Sequence, residues 1–251
     1  MRLFIVTGSS RGIGAAISRQ LLTTDTAVHA VARHRNPDLD EAVGSSGAHL
    51  AQYEVDLRRT EEIPGLVGRM VGSATGEIHE AVLINNAGLL DPIGPVTDIA
   101  PGALASHVAV NLTALMQLTA SFLAVTADRV KTRTVVNISS GAATTPYEGW
   151  APYCSTKAAV EMFTRVTAIE QRENPGTRII AVAPGVVDTE MQALIRSTSE
   201  EQFPHREKFV DLKESGRLAD PADSAALVLR AAADPEVESG ACVDVRKLYL
   251  Q

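Results

Sequence analysis

The feature that most limits what this chain can fold into is a rhythm: short β-branched apolar runs alternate with longer amphipathic stretches. Residues 3–7 (LFIVT) read as a buried strand, and residues 12–22 as a helix with Ile13, Ala16, Ile17 and Leu21 on one face. Further strands are expected at 27–32 (AVHAVA), 50–55, 81–85 (AVLIN), 134–139 (TVVNIS), 178–183 (RIIAVA) and 241–245 (ACVDV). Helical segments are expected near 59–72, 103–127, 153–172 and 221–233. Strands separated by helices argue for parallel βαβ units with right-handed crossovers. Their near-continuous apolar character says that both faces of the sheet are covered.

Size and charge narrow the function. The chain has 251 residues with 45% hydrophobic content, which suits a single α/β domain spanning 1–251. A formal net charge of −7 disfavours a general grip on nucleic acid. The apolar run after Met1 is too short for a signal peptide, and no 18-residue apolar stretch for a membrane span is expected. Cys154 and Cys242 form no C-x-x-C pair, and the six histidines show no metal-ligand spacing, so no metal is called for. The expected setting is cytoplasmic. Residues 189–216 break the rhythm with a polar, charged stretch after a strand end, where it can act as a substrate lid or be a plain surface excursion.

TGSSRGIG joins the first strand to the first helix. Gly8, Gly12 and Gly14 let backbone approach a phosphate, and Ser10, Arg11 and Ile13 complete a loop that opens on a helix N-terminus. By itself this spacing also fits a tight turn that binds nothing. The second strand ends in Arg33 rather than the acid that usually holds an adenosine 2′-hydroxyl. With Arg11 in the loop, guanidinium forks favour a 2′-phosphate, hence NADP(H) over NAD(H). Asp56, followed by Leu57, is placed to accept from an adenine amino group, or equally to act as an ordinary helix cap. Asn86, Ala87 and Gly88 offer small residues near a ribose or form a simple turn, and Pro184, Gly185, Val187 and Thr189 line a loop where Thr189 can meet a nicotinamide carboxamide.

The chemical end rests on Ser140, Tyr153 and Lys157. Tyr153 and Lys157 are four apart and share a helix face, while Ser140 follows the fifth strand. An ammonium beside a phenol favours phenolate, and a serine hydroxyl can bond an oxygen as charge develops on it. Such a device moves a proton for a carbonyl/alcohol pair, with a cofactor needed for the electrons. Asn111, a mediocre helix former inside a long helix, is read as a capping or packing residue, though its amide can also anchor a water behind Lys157. Trp150 and Met191 are candidate substrate contacts.

These residues, in this order, resemble the short-chain dehydrogenase/reductase family over essentially the whole chain: TGSSRGIG, NNAG, Asn111, NISS, YCSTK and PGVVDT. The resemblance implies a Rossmann-type, doubly wound, seven-stranded parallel sheet in a three-layer αβα domain. It implies an Asn–Ser–Tyr–Lys tetrad at Asn111, Ser140, Tyr153 and Lys157. Tyr is then the acid/base, Ser polarises the carbonyl, Lys lowers the Tyr pKa and Asn holds a relay water. It further implies NADP(H) use through Arg11 and Arg33, and a homodimer or tetramer. Within the family the chain is similar to sepiapterin reductases and to benzil (diketone) reductases, through VLINNAG, RTVVNISS, GWAPYCSTKAA and VAPGVVDTEMQ. Lys247 stands where sepiapterin reductases carry an acid for the pterin, which favours a diketone or other small carbonyl over a pterin. A non-catalytic dinucleotide sensor of the same fold is the competing class.

Overall fold

The computed structural model describes residues 1–250 apart from Ser45, Thr75 and Pro175. Seven strands form one parallel sheet: β1 (Arg2–Thr7), β2 (Thr26–Ala32), β3 (His49–Glu54), β4 (Glu80–Asn85), β5 (Thr132–Ile138), β6 (Thr177–Ala183) and β7 (Cys242–Asp244). Their spatial order is β3-β2-β1-β4-β5-β6-β7. The strand period of two explains why these runs are apolar throughout. In β1, Leu3 and Ile5 face one core while Phe4 and Val6 face the other.

Helices α1 (Gly12–Gln20), α2 (Pro37–Val43) and α9 (Pro221–Ala233) close one face, burying Ile17, Leu39 and Val228. Helices α3 (Ile63–Ser73), α5 (Ala114–Thr126) and α6 (Ala151–Glu170) close the other, burying Met70, Phe122 and Ala168. This is the expected three-layer, doubly wound domain. Each large side chain removed from water contributes roughly 1.5–3 kcal/mol, so both faces must be covered for the sheet to persist.

Two local expectations need correction, and two stretches hold helices not read from the sequence. Helix α2 was not read from the sequence; Pro37 at its first turn and the Asn36 side chain accepting from Asp38 N at 3.1 Å start it. The segment read as one helix at 103–127 is α4 (Pro101–Val108), a π-helical turn (Ala109–Thr113) and α5. The stretch Pro101–Thr126 is also long and apolar enough to span a membrane, contrary to expectation. Here its α5 part buries Leu115, Leu118 and Phe122 within the domain. Residues 189–216 hold α7 (Glu190–Ser197) and α8 (Arg206–Glu214). A short α10 (Val245–Tyr249) follows β7.

Sheet order reverses between β1 and β4, whose connections leave towards opposite faces. A crevice therefore opens beyond their carboxyl ends, where a doubly wound sheet takes its ligands.

Candidate active site

A cleft of about 590 Å³ occupies that crevice. Its walls include Gly8, Ser10, Arg11, Gly12, Ile13, Arg33, Asp56, Leu57, Asn86, Ala87 and Gly88 at one end. Ser140, Trp150, Tyr153, Lys157, Pro184, Gly185, Val187, Thr189 and Met191 line the remainder. Of the expected site residues only Gly14 and Asn111 stand behind the walls rather than in them.

The glycine-loop end is made of backbone. Gly8 has φ of +71°, and a Cβ there would lie 2.9 Å from Ala87 Cα. A Cβ on Gly14 would lie 2.2 Å from Gly8 O, so this glycine serves helix–loop packing, not the lining. Asn86 clamps the exits of β4 and β1: its Nδ2 donates to Thr7 O at 2.9 Å and its backbone N to Thr7 Oγ1 at 3.0 Å. The loop is thus a cradle that admits a ligand's phosphate only because no side chain fills it, and α1 turns its free N–H groups the same way.

Arginines surround this end. Asp56 accepts from Arg58 Nε at 2.9 Å and from Arg58 N at 3.0 Å. Arg58, with help from Arg33, holds its pKa down to about 2. Its carboxylate is thus held by Arg58 while still lining the cleft. Arg58 also lines the cleft and was not anticipated; the signal was a third basic residue two past Asp56. Arg11 pairs with Glu190 at the start of α7.

At the other end, α6 presents Tyr153 in its first turn and Lys157 one turn later, each buried. Lys157 Nζ donates to Ile138 O at 2.7 Å, which ties α6 to the exit of β5. Burial lowers the Lys157 pKa to about 8. Burial pushes the Tyr153 phenol up, while the Ser140 hydroxyl pulls it down. Lys157 Nζ stands 5.7 Å from the centroid of the phenol ring. Ser140 Oγ accepts from Ala142 N at 3.2 Å, and its hydroxyl faces the Tyr153 phenol.

Asn111 (2% exposed) sits in the π-helical turn. Its Oδ1 accepts from Leu89 N at 2.7 Å, and its Nδ2 donates to Leu89 O at 2.8 Å and faces His107 Nε2 at 3.0 Å. One amide hydrogen is engaged by Leu89 O and the other points at His107.

The substrate side is aromatic and apolar. Trp150 stacks on Phe203 with centroids 4.5 Å apart and meets Tyr153 edge-on at 5.6 Å. A Cβ on Gly149 (φ +84°) would lie 2.3 Å from Gln202 O, which seats the turn before Trp150 against the α7–α8 connection. Leu90, Val110, Gln192, Leu194, Ile195 and Phe209 also line the cleft and were not singled out from sequence. Gln192 is 3% exposed; its Oε1 accepts from Arg196, while its Nε2 has no partner among the described residues.

With this geometry in view, likeness to known proteins becomes informative. The short chain dehydrogenase family model matches residues 2–200. A "Benzil reductase ((S)-benzoin forming)" of Bacillus subtilis is 38% identical over 98% of this chain and 99% of its own. A "Sepiapterin reductase" of Bos taurus is 34% identical over 96% of this chain and 93% of its own. The crystal structure of the KRED1-Pglu enzyme superposes with a TM-score of 0.82 at 32% identity, covering 97% of this chain and all (100%) of that one. The chain belongs to the short-chain dehydrogenase family, whose members are oxidoreductases that use nicotinamide dinucleotides.

Proposed function

We propose that the protein is an NADPH-dependent reductase of small carbonyl compounds, notably vicinal diketones. One observation carries the reading: Ser140, Tyr153 and a buried Lys157 line the same cleft as the glycine cradle. A bound dinucleotide supplies the hydride; the chain supplies everything else. Ser140 turns its hydroxyl hydrogen to the substrate oxygen and polarises it. Tyr153, protonated at neutral pH because burial raises its pKa, gives its proton to that oxygen. Lys157, cationic below about pH 8, favours the phenolate that remains and is placed to hold a ribose hydroxyl. Asn111 keeps the π-helical turn in register behind them.

At the adenosine end, Arg33, Arg11 and Arg58 favour a 2′-phosphate, and Asp56, held by Arg58, is placed to accept from an adenine amino group. On the substrate side, Leu90, Trp150, Met191, Ile195 and Phe209 suit aryl or alkyl groups, and Thr189–Gly216 acts as the lid. The buried Gln192 amide, held by Arg196 through its oxygen, offers its N–H₂ to a second carbonyl. The benzil reductase likeness supports this substrate class, whereas Lys247 is exposed on α10 and does not line the cleft, against a pterin anchor there. Exposed Met116, Met162, Val166 and Ile169 on α5 and α6 suit a homodimer in a cytoplasmic setting.

The test is NADPH absorbance with benzil, against NADH and a broad carbonyl panel. Diketone turnover with NADPH at least about tenfold better than with NADH in kcat/KM is expected. Arg33→Asp should reduce NADPH affinity by about 10–100-fold and leave NADH little changed. No turnover with any carbonyl would remove the reading.

A further inference from the structure

His107, in α4, is fully buried and touches both the Asn111 turn and the helix that carries Tyr153 and Lys157, yet it is not itself at the cleft wall. Its Nδ1 lies 2.7 Å from Asp91 O in the loop after β4, and its Nε2 lies 3.0 Å from Asn111 Nδ2 and 3.1 Å from Thr156 Oγ1. Thr156 stands between Tyr153 and Lys157 in sequence on α6, and the His107 and Tyr153 rings meet edge-on at 6.3 Å.

The protonation state follows from its neighbours. Leu89 N–H and C=O fix both ends of the Asn111 amide, so Nδ2 must be the group that faces His107. A hydrogen on Nδ2 requires a lone pair on His107 Nε2, and the Thr156 hydroxyl, which can rotate where the amide cannot, must turn its hydrogen to Nε2 from Pro152 O, 2.9 Å away. The ring proton must then sit on Nδ1, where the Asp91 carbonyl can only accept. A second proton would set two donors face to face in a dry site, 3.0 Å apart.

We propose that His107 is a positioning residue for the reaction: as the neutral Nδ1–H tautomer it holds the Asn111 turn and the Tyr153–Lys157 helix in register, and its protonation releases them. This rests on the carbonyl-reducing reading of the cleft. The charged and titratable groups around it are Lys157 and Tyr153 on α6 and Asp91 after β4. Lys157 disfavours a second cation nearby, and burial, the larger effect, keeps the imidazole neutral.

Three variants and one spectrum test it. His107→Leu should lower kcat for a diketone by about 10–100-fold, with KM for diketone and NADPH within about threefold. His107→Gln, which carries a donor and an acceptor but cannot titrate, should recover kcat to within about threefold of wild type. It should also abolish the acid limb of the wild-type kcat profile. His107→Asn, too short to reach both partners, should not rescue. In ¹⁵N-histidine spectra of the wild type at neutral pH, Nδ1 should be protonated and Nε2 bare. A His107→Leu enzyme of near wild-type kcat, a change confined to KM, or an unaltered acid limb in His107→Gln overturns the proposal. If His107→Leu does not fold, the acid limb of His107→Gln decides. A protonated Nε2 overturns it too, and this arm reads out even if no carbonyl is reduced, an outcome that sinks the reductase reading alone.

Discussion

At the glycine-loop end of the cleft the walls are backbone; at the Tyr153 end they are side chains. Gly8, Gly14 and Ala87 meet main chain to main chain, so the shape there is fixed by the strand exits and tolerates no added atom. Around Trp150 the shape is set by Phe203, Phe209, Met191 and Ile195, drawn from α7, α8 and the turn between them. The first kind of wall suits a ligand part that never changes. The second can be recut residue by residue, and substrate range within one fold is altered there.

The largest expected effect separates chemistry from both walls. Tyr153→Phe keeps the ring against Trp150 and removes only the proton donor. It should lower kcat by about 10²–10⁴-fold, with NADPH affinity and thermal midpoint close to wild type. A loss of binding or stability instead would mean that the phenol is part of the wall. Next comes the backbone end itself. Gly14→Ala drives a methyl into Gly8 O, 2.2 Å away, and into a main chain that cannot rotate aside. A cost of about 1–3 kcal/mol or more is expected, together with loss of measurable NADPH binding. Met191→Ala, at the other end, should leave NADPH binding intact and shift KM among diketones of different size. Equal tolerance at both ends would break the contrast.

The same contrast decides what could be read from residues alone. β1, β2, β4, β5 and β6 alternate side chains into two cores, so their apolar runs stand out, and the glycine loop has its shape dictated by local sequence. Ser140, Tyr153 and Lys157 could be placed together because a strand exit and one helix face bring them there. The rest has no local signal. Asn36 and Pro37 start α2 in a stretch with little apolar periodicity, so propensity said little. The π-helical turn at 109–113 follows from tertiary bonds between Asn111 and Leu89, which no helical period records. Phe203 and Phe209 converge on Trp150 from more than fifty residues away, across a polar segment whose two helices show few apolar positions. The upward pull of burial on the Tyr153 phenol has no local signal either: the spacing to Lys157 is legible in the sequence, burial is not.

Burial of Lys157 gives a third test, in stability. Its pKa falls from 10.5 to about 8, so the folded state gives up the proton more readily than the unfolded chain. Below about pH 8 both states are charged and the burial penalty is present in full. Between about 8 and 10.5 the unfolded chain binds more protons, and stability climbs with pH. Lys157→Met should therefore be inactive yet more stable than wild type at neutral pH by about 1–3 kcal/mol, less what the freed Ile138 carbonyl costs. The advantage should shrink as pH rises through that window. A variant no more stable than wild type would show that the 2.7 Å bond to Ile138 O already offsets the burial.

The smallest effect sharpens the side-chain end. Arg196 holds the oxygen of the Gln192 amide, so the group cannot flip and presents only hydrogens. A buried donor without an acceptor is costly, and a second carbonyl on the substrate is the missing acceptor. Gln192→Met keeps the volume and removes the donor. For 1-phenylpropane-1,2-dione, kcat/KM should fall about tenfold, worth about 1.4 kcal/mol, while propiophenone, with one carbonyl, should be unaffected. Equal losses on both ketones would make Gln192 a packing residue. A rise in the NADPH KM common to both would place the amide against the dinucleotide, and the boundary between the two kinds of wall would then lie further into α7 than drawn here.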